Sequence, residues 1–323
     1  MAGTLQARDD FFVCDFFNPR LKHDIASMEH PIFSLATRPD RRILSYLHND
    51  VAVTVTPSVK GRATIFDADI LIYCISQLMA ALNAGRETAR TLTLVAHDLL
   101  LATGRETSGD AYRRLRDAFE RLAGTRITTN LRAGDREITS GFGLIESWEI
   151  ERRTRAGRMV SVRVTLSEWL YEAVMARSVL TLSRDYFTLR RPLERRLYEL
   201  CRKHCGRQSS WRVSVAVLAK KSGSASPLRV FRSMLREIAA ADTLPEYHLT
   251  EVPGDLFEVR RRGKPGQGAG LALSPATLEA ARALAPGADI YALEAEWRAF
   301  AETRPPRDPD AAFLGWVRQR TAT

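Results

Sequence analysis

From Asp110 to Ala123 the apolar positions fall three and four residues apart. Ala111, Leu115, Ala118, Phe119 and Leu122 share one side of a helix, with Arg113, Arg114, Asp117 and Arg121 on the other. The period then changes to two. Leu144, Glu146, Trp148 and Ile150 alternate with Ile145, Ser147, Glu149 and Glu151, and after a basic tip Val160, Val162, Val164 and Leu166 form one face of a returning strand. Upstream, Asp67–Asn83 reads as a buried helix ended by Asn83-Ala84-Gly85, and Leu94–Ala102 as a short second one. Thr107-x-x-Asp110 offers a cap for the third. Residues 1–66 show strand-like runs at Ile43–Leu47 and Val51–Thr56 among turn residues.

The same order recurs downstream. Helical patterns at Pro192–His204, Ser214–Lys221 and Pro227–Ala241 lead to a hairpin of Tyr247–Val252 and Leu256–Arg262 around Pro253-Gly254-Asp255. Helical stretches at Ser167–Ala176 and Asp185–Leu189 join the two units. The pattern therefore predicts an α+β chain of two tandem winged-helix domains, each a three-helix core with a β-hairpin wing. The boundaries are a strand and loop extension over 1–66, a first domain over 67–180, a second over 181–262, a Gly-rich linker over 263–270 and a helical tail over 271–323.

The last helix of the second unit is the most telling. Ser226-Pro227 opens it, Phe231, Met234, Leu235 and Ile238 line one face, and Arg229, Arg232 and Arg236 repeat on the opposite one beside Ser233. A docking stripe backed by an arginine stripe suits a DNA groove, where arginine binds guanine O6 and N7 or phosphate. A solvated face is the plain alternative, and only Glu237 offsets the three arginines. Lys220 and Lys221 close the preceding helix where a phosphate would pass.

Charge supports a polyanionic partner. The 323 residues carry a net charge of +10, and from Arg184 to Asp242 14 Lys and Arg stand against 5 Asp and Glu. Arginine bias over the whole chain weakens this signal, and much of the local excess sits on Arg190–Lys203, which reads as scaffold. Arg260, Arg261 and Arg262 on one hairpin, and Arg155 and Arg158 at the tip of the other, fit wings on phosphate or in the minor groove, although a basic edge strand would look the same. Arg113 and Arg114 are partly balanced by Asp110, Asp117 and Glu120, so the first unit fits DNA or a second protomer equally well.

Other chemistries find little footing. Cys201, His204 and Cys205 share a helix face without a second ligand pair, so a packed helix end is expected and no metal or cofactor. Gly104–Gly109 has the spacing of a P-loop without its lysine. The six histidines form no His-x-His pair for a nicking centre, and Tyr186 reads as a core aromatic, so no catalytic residue and no enzyme is expected. With few cysteines, no leader pattern and no membrane-length apolar run, a soluble cytoplasmic protein is expected. Trp297, Phe313 and Trp316 in the tail are candidates for docking on the body or on a partner.

Several longer runs resemble the plasmid replication initiator protein A family. They are Asp185–Gln208 (DYFTLRRPLERRLYELCRKHCGRQ), Ser27–Leu35 (SMEHPIFSL), Ser167–Tyr171 (SEWLY) and Lys221–Leu228 (KSGSASPL), with Arg307–Leu314 (RDPDAAFL) in the tail. The resemblance spans about residues 10 to 262. It implies two winged-helix domains, binding to repeated double-stranded sites at a plasmid origin, recruitment of host replication proteins, and repression of the protein's own gene as a homodimer. No ATPase motif is present, so origin melting would draw on binding energy and DNA deformation. A winged-helix transcriptional repressor without a replication role would need the same local chemistry.

Overall fold

The computed structural model describes residues 11–48, 51–133, 136–152, 159–206, 208–262, 273–285, 290–301, 306 and 308–321. The chain divides into two units between Arg261 and Arg262. The first begins with β1 (Phe11–Val13), β2 (Lys22–Asp24), the short α1 (Ile25–Glu29), β3 (Leu44–His48) and β4 (Val51–Thr56). A block follows of α2 (Ala68–Asn83), β5 (Thr91–Val95), α3 (Ala96–Ala102) and α4 (Gly109–Gly124), then β6 (Arg126–Ala133), β7 (Arg136–Gly143), β8 (Ile145–Arg152) and β9 (Met159–Leu166). Next come α5 (Glu168–Met175), β10 (Val179–Thr181) and a 3-10 turn at Arg184–Thr188. A second block then runs through α6 (Pro192–His204), β11 (Ser210–Ser214), α7 (Val215–Ser222), α8 (Leu228–Ala241), β12 (Tyr247–Val252) and β13 (Leu256–Arg261). The second unit holds α9 (Pro275–Leu284), α10 (Ile290–Ala301) and α11 (Pro309–Thr321).

The two blocks share one topology. In the first, β5 pairs antiparallel with β9 and β9 with β8; in the second, β11 pairs antiparallel with β13 and β13 with β12. Each block thus reads helix, strand, helix, helix and a closing hairpin whose last strand sits in the middle. The first block is elaborated by the β6–β7 hairpin, which joins β3 and β4 in a separate sheet. In addition, β1 adds in parallel to β5.

The helical periods hold, and the five inward residues expected on α4 are its five buried ones. Among the described residues seven strands, β1, β2, β5, β6, β7, β10 and β11, are additions to the sequence reading, as is the short α1. Thr91–Val95 alternates with Leu92 and Leu94 buried, so the helix expected from Leu94 starts only at Ala96, while Ser210–Ser214 pairs along β13. The simple alternation expected from Leu144 is interrupted by a bulge between Ile145 and Ser147. That bulge turns both Glu146 and Ser147 outward and lets Trp148 stack on Phe119 at 5.8 Å.

Serines start several helices. Ser108, Ser167 and Ser214 each accept from the backbone NH three residues on, so Ser108 caps α4 where Thr107 was expected. Two apolar cores result, one under the first two four-stranded sheets and one among α6, α7, α8 and the second hairpin. Helix α2 serves both, for Leu71 and Ile75 lie in the first and Ile72 in the second. In the second unit, Trp297 is buried against Phe313 at 5.3 Å within that unit's own core, so it is spent on internal packing.

Candidate nucleic-acid interface

Helix α8 presents the geometry that its period predicts. Phe231, Leu235 and Ile238 are buried in the second core, with Met234 packed at its edge. Arg229, Ser233 and Arg236 are exposed, and Arg232 is partly so. The helix begins after Pro227 without a side-chain cap; Ser226 instead turns its hydroxyl to the Met234 sulfur at 4.0 Å, which corrects the expected cap. Between α7 and α8, Gly223 adopts φ +69°, and a Cβ there would stand 2.8 Å from Pro31 Cβ. The helix–turn–helix angle is therefore fixed by a backbone conformation and a close approach that glycine alone satisfies.

The arginines differ in their neighbours. The Arg229 side chain has no hydrogen bond or ion pair among the described residues. Arg232 donates Nε and Nη2 to the Asp255 carboxylate at 2.8 and 3.1 Å, and Arg236 donates the same pair to Glu251 at 2.8 Å each. Hydrogen bonds from Arg232 hold the Asp255 carboxyl below its ordinary range, and those from Arg236 do the same for Glu251. Glu251 lies near the end of β12 and Asp255 in the hairpin turn at φ +57°. Neither acid was picked out from the sequence. The signal was there in the hairpin that follows the helix, whose only acids before β13 are these two.

The remaining candidates separate into surface and interior. Lys220 is exposed, its ammonium 5.8 Å from the Tyr46 ring centre. Lys221 corrects the expectation of a phosphate contact: it is buried and its Nζ bonds Glu29. Burial alone would raise the Glu29 carboxyl, but Lys221, His204 and Lys203 around it hold it down at about 2. On β13, Arg260 is exposed and pairs with Glu258 at 2.6 Å, Arg261 is exposed, and the partly buried Arg262 is the first residue of the second unit. Arg113 and Arg114 are exposed and share Asp110, Arg114 at 2.6 Å. Arg121 forms a two-point pair with Asp67, not with Asp117. Arg155 and Arg158 lie outside the described residues.

The basic stretch on α6 turns inward. Arg195 bonds Asp69 of α2 and the Leu189 carbonyl, and its guanidinium lies 4.5 Å from the Phe66 ring centre. Arg196 reaches Glu199 at 3.1 Å and the carbonyls of Ser27, Met28 and Lys221. Glu199 also accepts from Tyr186 Oη at 2.6 Å. These residues tie the second core to α1 and α2. Cys201 and Cys205 are buried in that core and His204 stacks on Trp211 at 4.8 Å, the packed helix end expected.

Comparison with known proteins places this architecture. The family described as Replication initiator protein A matches residues 22–249. A protein of Wigglesworthia glossinidia brevipalpis named "Putative replication protein" is 37% identical over 244 residues, covering 74% of this chain and 88% of that one. In shape the chain is similar to crystal structures of domains 2 and 3 of RctB. One has a TM-score of 0.54 at 14% identity over 73% of this chain and 96% of that chain, and another 0.50 at 16% over 72% and 95%. Among the described residues no helix is long and apolar enough to cross a membrane. With the family matching residues 22–249 of this chain and a relative 37% identical over 88% of that relative's length, the chain belongs to the Replication initiator protein A family.

Proposed function

We propose that the protein is a non-enzymatic plasmid replication initiator of the cytoplasm, which binds repeated double-stranded sites at its origin. In this reading each helix–strand–helix–helix–hairpin block is a winged helix, and α8 enters the major groove. The observation that carries it is the face of α8: Arg229, Arg232, Ser233 and Arg236 lie on the side opposite a fully buried stripe. Lys220, Arg260 and Arg261 would contact backbone phosphates, which orient the protein without reading sequence. Arg113 and Arg114 of the first block serve either DNA or a second copy of the chain. Bound sites would be marked or opened through deformation of the duplex and passed to host replication proteins, with the protein's own gene repressed by the dimer.

Footprinting of the full chain on duplex flanking its own gene tests this reading. Tandem protected repeats are expected, and protein supplied in trans should maintain a replicon lacking its initiator gene. Protection without maintenance would leave a repressor, and no protected repeat at all would sink the assignment.

A further inference from the structure

The two clamped arginines of α8 are held alike. Each spends Nε and Nη2, the side edge of the guanidinium fork, on a carboxylate oxygen pair. The end edge, formed by the two terminal nitrogens, stays available to an incoming pair of acceptors. Guanine offers such a pair, O6 and N7, in the major groove. A side chain fixed in this way has already lost rotamer freedom, so binding costs it less. A contact to phosphate needs no such fixing, and Arg229 on the same face has none.

We propose that Asp255 and Glu251 are positioning residues that aim Arg232 and Arg236 end-on at guanine edges, making the interface selective for guanine at two positions. The inference rests on α8 entering a major groove. Positions four apart on a helix are about 6 Å apart along its axis, against about 3.4 Å per base pair, so the two guanines fall within about two base steps. The carboxylates also oppose the duplex charge, which weakens binding to arbitrary sequence. Removing their charge therefore divides two effects: selectivity falls while affinity for unselected duplex holds or rises. A merely structural role would move stability and all DNA affinity together.

The test uses the full chain, a pool of random-sequence duplexes, and the variants Asp255→Asn and Glu251→Gln. Asparagine tolerates the positive φ at position 255, and glutamine keeps the shape of residue 251. The wild type should select a motif holding two guanines within about two base steps. Replacing either guanine by 7-deazaguanine, which lacks the N7 acceptor, should weaken wild-type binding roughly tenfold. Each variant should lose that sensitivity at one guanine and bind unselected duplex at least as well as the wild type, which also shows that it is folded. A motif without guanine, or variants that keep full sensitivity, would overturn the inference alone. A wild type that selects no motif would instead overturn the reading of α8 as a DNA reader, and this inference with it.

Discussion

Helices α6 and α8 carry three arginines each and use them in opposite ways. On α6, Arg195 and Arg196 are 2% and 3% exposed and knot α1, α2 and the second core together. On α8 the arginines face outward, and two of them meet carboxylates that are themselves exposed. Local charge is similar, but the cost of removal is not. A buried guanidinium leaves behind unpaired carboxylates and carbonyls in a dry environment, whereas an exposed pair loses a contact that water replaces. An excess of basic residues reaches the surface as a stripe only where the helix has an apolar face to set it against. All residues from Leu193 to Cys201 on α6 are buried, so that helix has no outward face there.

The largest effect is expected from substitution on α6. Arg196→Ala should lower stability by ~3–5 kcal/mol, read by urea denaturation, while any folded fraction keeps its affinity for DNA. Arg232→Ala and Arg236→Ala should do the reverse, each weakening specific binding roughly tenfold or more in a gel-shift titration with stability little changed. If either helix showed the other's phenotype, the division between scaffold and reader would be lost.

Gly223→Ala sharpens the dependence of α8 on its turn. The left-handed backbone should cost ~1–2 kcal/mol, seen in thermal melting, and the push against Pro31 should shift α8 and reduce specific binding more than non-specific. The last effect is pH-dependent and belongs to the interior. Glu29 has its carboxyl held down at about 2, so its pairing stabilises the fold above the ordinary carboxylate range near ~4.3 and is lost as pH falls toward 2. The stability gap between wild type and Glu29→Gln should be constant from pH 7 to 5 and close below that. A gap that widened toward acid would contradict the sign.

Much of the fold was legible because its long helices obey one period. The buried stripe of α4 was readable residue by residue, and the limits of α6 and α8 to within one position. The strands β5 and β11 were not, since each is five residues long and runs straight into a helix, leaving too few alternations to outweigh the following pattern. The interior ion network was invisible for another reason: Arg195 meets Asp69 and Lys221 meets Glu29 only through tertiary packing. The same holds at the candidate interface. The arginine stripe follows from helical spacing, but its carboxylate partners depend on how the second hairpin folds back against α8.

The most direct measurement is the salt dependence of duplex binding by the full chain with Arg229, Arg232 and Arg236 together changed to alanine. On the footprinted duplex specific binding should be lost, and log affinity against log salt should become shallower by about one for each phosphate-bound arginine removed. Affinity and slope equal to those of the wild type would contradict the claim that α8 faces DNA.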